Sequence, residues 1–141
     1  MSGDKFFLDT NILVYSFDPD TPAKAAIAEG LVTRGLTSGL GVISYQVVQE
    51  FVNVALRRFV HVITPAELER YSFRALFPLM KINSSPQLFL RALHLQSSNR
   101  LSWYDSLIVT GALQGGCQVL YSEDLQHGQR FGDLVVENPF R

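Results

Sequence analysis

Four acidic residues stand where acids are hard to explain by packing alone: Asp9 in FLDTNIL, Glu50 in VVQEFVN, Asp105 in LSWYDSLIV and Asp124 in LYSEDLQHG. Each interrupts or borders an apolar run. An ionised carboxylate in such a setting must be solvated or compensated, because an unpaired buried charge costs several kcal/mol. Carboxylates gathered at one place repel and raise one another's pKa unless a cation offsets them. Hard oxygen donors of this kind suit Mg²⁺, with Mn²⁺ able to substitute. Zinc chemistry has no basis here: His61, His94 and His127 lack ligand spacing, and Cys117 stands alone. Taken singly, all four acids have simpler readings, Glu50 that of a lone surface glutamate. Asp9 and Asp124 each suit the cap of a following turn, and Asp105 stands three residues after Ser102, close to a capping-box pattern.

The elements that must position these acids follow from the hydrophobic pattern. Phe6 to Asp9 reads as a short buried strand, with a helical turn from Asn11. Thr21-Pro22 opens a helix, Thr21 as cap and Pro22 at the first position. Gly39 to Ile43 reads as a strand, and Ser44 caps a long helix to about Phe59. On that helix Glu50 lies at the border of the stripe Val47, Val48, Phe51, Val52, Ala55 and Phe59, sharing a polar strip with Gln46, Asn53 and Arg57. Thr64-Pro65 starts a helix to about Leu79, Pro86 another to about Ser98, and Ser102 a third to Leu113. Gly115-Gly116 stops it. Gln118 to Tyr121 and Leu134 to Glu137 read as the last strands.

Short apolar strands alternating with helices imply an α/β fold: a central parallel sheet with helices on both faces, plus an extra helical segment in the middle. No repeat or linker divides residues 1–141, so a single domain is expected. In such sheets ligands gather beyond the carboxyl ends of the strands. Asp9, and Ser122, Glu123 and Asp124 after the later strand, then share one rim.

Net charge is only −1, but it is unevenly spread. Residues 57–100 carry a balance of +5, and the rest of the chain carries −6. An acidic site beside a basic segment suits an enzyme that binds metal cations and a polyanion; scattered solvated helix faces would give the same count. Arg57, on the Glu50 strip, is the first choice for a phosphate contact. A single cysteine excludes an intrachain disulfide. With no signal-peptide or membrane-span pattern, a soluble cytoplasmic protein is expected.

Together the four segments, in this order along essentially the whole chain, resemble the PIN-domain nucleases, and among them the VapC-type toxins and their solitary bacterial relatives. The resemblance implies a PIN-like three-layer α/β/α fold and metal-dependent endonucleolytic cleavage of single-stranded RNA without a covalent enzyme intermediate. Carried over residue by residue, it implies that Asp9, Glu50, Asp105 and Asp124 hold one or two Mg²⁺ or Mn²⁺ ions. Asn11 and Ser122 would orient carboxylates or metal-bound water. It further implies homodimerisation and an antitoxin partner covering the acidic rim. Two other readings compete. A PIN-like module could bind RNA or protein without cleaving. An aspartyl-phosphate phosphatase would use Asp9 as nucleophile, but Asn11 stands where its general acid belongs.

Overall fold

The computed structural model of the chain describes residues 3–141. Its centre is β1 (Phe6–Leu8), every residue of which is buried. A strand so wholly apolar needs cover on both faces, and it has it. On the Phe6 side lies α2 (Pro22–Ser38), whose Gly35 approaches Phe6 and β2 (Gly41–Ser44). On the Phe7 side lies α7 (Trp103–Gln114), whose Gly111 faces Phe7, Ser44 and Ile82. Helix α6 (Pro86–Asn99) packs along α7.

The sheet has six strands in the order β3-β2-β1-β4-β6-β5. β1 pairs in parallel with β2, Phe7 opposite Val42, and with β4 (Val119–Tyr121), Leu8 opposite Tyr121. β4 continues in parallel to β6 (Leu134–Glu137), and only β5 (Arg130–Phe131) runs antiparallel, through a tight turn at Gly132 with φ of +61°. The chain leaves β1 toward β2 and returns on its other side as β4. A crevice therefore opens beyond the carboxyl ends of β1 and β4, where the strand order reverses.

The α/β class, the three layers and the mainly parallel sheet agree with the expectation from sequence. Three details differ. Helix α1 (Thr10–Tyr15) starts one residue early, and Asp9 serves as its cap rather than ending the strand. The helix expected from Thr64 to Leu79 is α-helical only over α4 (Pro65–Tyr71). It widens to a π-helical turn over Ser72–Leu76, then closes as α5 (Phe77–Leu79). Pro78 has no N–H to offer the ladder, and the Phe77 N–H bonds five residues back to Ser72 O instead. The chain then forms β3 (Met80–Ile82), an unexpected edge strand that is largely uncovered.

Candidate active site

Helix α1 follows β1 with no intervening loop, and that junction sets the site. Asp9 caps α1, its Oδ1 accepting from Thr10 N at 2.7 Å. Its Oδ2 accepts from the Ser122 hydroxyl at 2.7 Å. Only 5% of Asp9 is exposed. Burial pushes its carboxyl up from 3.8 to about 7; the Ser122 and Thr10 hydrogen bonds oppose this, while the charges of Asp124 and Asp105 add to it. So capping and site membership are not alternatives at Asp9: one oxygen does each.

The other three acids come from three different elements. Glu50 lies midway along α3 (Tyr45–Arg58), which Ser44 caps by accepting from Val47 N at 3.3 Å. Its Oε1 accepts from Thr10 Oγ1 at 2.7 Å. Asp105 sits in the first turn of α7. Ser102 Oγ accepts from Asp105 N at 3.1 Å, so the cap is made by the serine. Among the described residues no hydrogen bond engages the Asp105 carboxylate, so the reciprocal half of a capping box is not formed. Asp124 follows β4, and its Oδ2 accepts from Asn11 Nδ2 at 3.1 Å. Asn11 also accepts from Glu123 N at 3.3 Å through Oδ1, tying α1 to the loop after β4.

All four acids line one cleft of about 610 Å³, with Thr10, Asn11, Gln46, Asn53, Tyr104 and others. Ser122 lies beneath it, fully buried. Among the described residues, no three Asp, Glu, His or Cys side chains are placed to hold a metal ion as they stand. Asp9, Glu50 and Asp124 each rest on a protein donor. The residues nonetheless fit a divalent cation. The donors are oxygens throughout, Asp9 is a buried carboxylate with no cationic partner of its own, and the charges of Asp124 and Asp105 act on it.

Residues that the sequence reading did not assign complete the wall. Thr10 holds Glu50, as described. Glu123 lines the cleft, but its carboxylate is taken by Lys24 Nζ at 2.6 Å and by the Tyr15 hydroxyl. Burial alone would raise the Glu123 pKa, yet Lys24 and Tyr15 outweigh it and hold the acid below its ordinary range. A hint was present in the sequence. Lys24 stands in the first turn of α2, the unfavourable end of the helix dipole for a cation, so its partner had to come from elsewhere.

Arg57 is exposed and stands outside the cleft; Arg58 lines it. The lining follows the i, i+4 row Gln46, Glu50, Val54 and Arg58, adjacent to the buried row Val47, Phe51, Ala55 and Phe59. Arg57, seven residues beyond Glu50, lies about 20° from it on the side away from the buried row and faces solvent. Of the basic residues between 57 and 100, only Arg58 lines the cleft. Lys81 instead ties down Gly39 O and Gly41 O at 2.7 and 2.8 Å, at the opposite end of the sheet. The charge imbalance in sequence is therefore not a single patch over the site.

A model of the PIN domain matches residues 6–130. The chain belongs to the PIN-domain family. No curated protein matches it in sequence. Several solved structures share the fold. A toxin–antitoxin complex from Klebsiella pneumoniae gives a TM-score of 0.67 at 19% identity, covering 96% of this chain and 98% of the other. FitAcB from Neisseria gonorrhoeae gives 0.61 at 18%, covering 96% and 98%. VapBC2 from Rickettsia felis, bound to a DNA fragment from its promoter, gives 0.60 at 19%, covering 94% and 97%. Within this PIN domain the cleft sits at the strand-order reversal. No helix among the described residues is long and apolar enough to cross a membrane.

Proposed function

We propose that this PIN domain is a divalent-metal-dependent endoribonuclease that hydrolyses phosphodiester bonds of single-stranded RNA, and that it acts as the toxin of a toxin–antitoxin pair. The observation that carries the reading is Asp9: a buried carboxylate without a cation, facing a cleft that Glu50, Asp105 and Asp124 also line. The toxin role draws support from the family and from fold neighbours described as toxin–antitoxin complexes. An antitoxin partner, a homodimer and a cytoplasmic setting belong to the same proposal.

Asp9, Glu50, Asp105 and Asp124 would hold Mg²⁺ or Mn²⁺. Bound there, the cation supplies Lewis acidity that activates an attacking water and offsets charge on the phosphoryl and leaving oxygens. The chain's own residues set the stage. Ser122 and Thr10 N orient Asp9, Thr10 Oγ1 orients Glu50, and Asn11 orients Asp124. A hydroxyl nucleophile is not favoured: Ser122 is fully buried, and no histidine or lysine lines the cleft to serve as its base. Direct attack by water is the simpler route.

The test is cleavage of single-stranded RNA with Mg²⁺ or Mn²⁺ by wild type and Asp105→Asn. Wild type should cleave, the variant should not, and EDTA should abolish the activity. Cleavage that survives Asp105→Asn or EDTA refutes the assignment. One observation favours a second reading, a PIN scaffold that binds RNA or protein without cleaving: among the described residues no three acids, as they stand, are placed to hold an ion. Calorimetric titration with Mn²⁺ separates the two, since the scaffold would bind no ion at the acids.

A further inference from the structure

We propose that the cleft is a two-ended track for single-stranded RNA, with one base stacked on Tyr104 at one end and one phosphate held by Arg58 at the other. This rests on the ribonuclease reading and goes further by placing the substrate along helix α3.

Tyr104 has no structural duty that explains it. It is 64% exposed although it lines the cleft, directly before Asp105. Of the other exposed aromatics on the helices, Phe73 pairs with Phe77 and Phe89 with Trp103, while Tyr45 lies outside the cleft. Tyr104 meets no ring among the described residues, and no hydrogen bond engages its hydroxyl. Its backbone, by contrast, is fixed. Ser102 caps the helix it opens, and its carbonyl accepts from Gln46 Nε2 at 3.4 Å, which ties it to the amino end of α3. A rigidly mounted, unpaired ring at the mouth of a polar cleft suits an unpaired base, whose π-face stacks regardless of sequence.

Arg58 ends the same helix row at the far side of Glu50. The separation from Gln46 is twelve residues, roughly 18 Å at 1.5 Å per residue, enough for a short run of nucleotides to pass the acids. The nearest anion to Arg58 is Asp18 Oδ2 at 3.9 Å, too long for a hydrogen bond. Asp18 is itself buried and anchored by Asp20 N at 2.9 Å, so it steadies Arg58 without using its donors. At this end the Thr21 hydroxyl oxygen is buried and has no hydrogen-bond partner among the described residues. A phosphate oxygen in the cleft would engage the free donors of Arg58.

Stacking and phosphate contact leave different signatures, and that makes the proposal testable. Binding of a labelled 12-nucleotide oligouridylate and of an abasic strand of equal length and charge is measured by anisotropy. The protein carries Asp105→Asn to prevent hydrolysis, and salt is varied; wild-type cleavage is assayed in parallel. Tyr104→Ala should weaken oligouridylate binding about tenfold, leave the abasic strand unaffected and keep the salt slope, while Tyr104→Phe restores affinity. Arg58→Gln should weaken both strands and reduce the slope of log K against log salt by about 0.7; Arg57→Gln should not. Thermal melts confirm that each variant folds. Equal effects of Tyr104→Ala on both strands, or none on either, overturn the stacking end; the latter is what a ring reserved for a protein partner would give. An unchanged slope for Arg58→Gln overturns the phosphate end. If the wild type neither binds nor cleaves RNA, the ribonuclease reading fails and takes this proposal with it.

Discussion

The Ser122 hydroxyl donates to Asp9 Oδ2 at 2.7 Å, joining the ends of two adjacent parallel strands across the floor of the cleft. The same oxygen accepts from Asp124 N at 3.2 Å and Leu125 N at 3.3 Å. One buried hydroxyl therefore fixes the side chain of one acid and the backbone of another. Ser122→Ala frees Asp9 Oδ2 and leaves two backbone amides without their acceptor. The expected outcome is a 10- to 100-fold loss of Mn²⁺ affinity by calorimetry. A stability loss of about 1–3 kcal/mol should accompany it in denaturant melts. An unchanged Mn²⁺ affinity would show that Asp9 holds its orientation without the hydroxyl.

Asp9 gives the fold a pH dependence of definite sign. Its carboxyl titrates near 7 in the folded protein and near 3.8 when unfolded, chiefly because it is buried. Between those values the folded state binds the extra proton, so this group's contribution makes stability fall as pH rises and level off above about 7. Once Asp9 is ionised, the cost to the metal-free fold is up to about 4 kcal/mol. In EDTA, Asp9→Asn should raise the melting temperature at pH 8 and change it little at about pH 3.5, below the unfolded carboxyl pKa. Added Mn²⁺ should stabilise the wild type more at pH 8 than at pH 5, and should stabilise the variant little at either. A variant that melts below wild type in EDTA at pH 8 would mean the Asp9 charge is already compensated inside the protein.

The site was legible in the sequence to the extent that local chemistry carries it. Asp9 and Asp124 follow buried strands, and strand ends in a parallel sheet converge, so their meeting at one cleft was readable. Glu50 announced itself by lying at the border of a helical apolar stripe. What escaped depends on contacts between residues far apart in the chain. Thr10 reaches Glu50 across forty positions, and Lys24 reaches Glu123 across ninety-nine. Arg58 rather than Arg57 faces the cleft because the lining follows an i+4 row that drifts about 40° per step toward the buried side, whereas a helical wheel centred on Glu50 puts Arg57 nearer, about 20° away. Strand β3 escaped because Pro78 sits just ahead of it, and its three residues are too few to show a period.

Helix α2 reaches the sheet through two glycines, and one of them admits no replacement. A Cβ on Gly41 would stand 2.5 Å from the Gly35 Cα and 2.9 Å from Leu79 Cδ2. The first contact is with backbone, so no rotamer change relieves it. Gly41 pairs with Phe6 on β1, and any displacement passes to the strand that ends at Asp9. Gly41→Ala should destabilise by at least about 1–3 kcal/mol. Gly30→Ala, on the open side of the same helix, should be neutral or stabilising, up to about 1 kcal/mol. Denaturant midpoints of the two variants check both signs; equal midpoints would show that α2 has freedom to lift away from β2.

Two acids follow Ser122, and the structure distinguishes their work. Glu123 is held by Lys24 and Tyr15, whereas Asp124 rests on the neutral amide of Asn11. A carboxylate already matched to an ammonium gains little from a metal ion, while one on a neutral donor gains more. Glu123→Gln should therefore retain RNA cleavage within a few fold, and Asp124→Asn should lose at least tenfold in Mn²⁺ affinity. The clamp contributes instead to stability. Because the Glu123 pKa is depressed on folding, its contribution is present above the unfolded carboxyl pKa and is lost as pH falls through the folded one. The effect is small, since the Lys24 side chain is 37% exposed and the pair is screened by solvent. Glu123→Gln should accordingly lower the melting temperature slightly at pH 7 and not at pH 3. If Glu123→Gln abolishes Mn²⁺ binding while Asp124→Asn preserves it, the two acids have the opposite assignment, and Lys24 must release Glu123 when the ion binds.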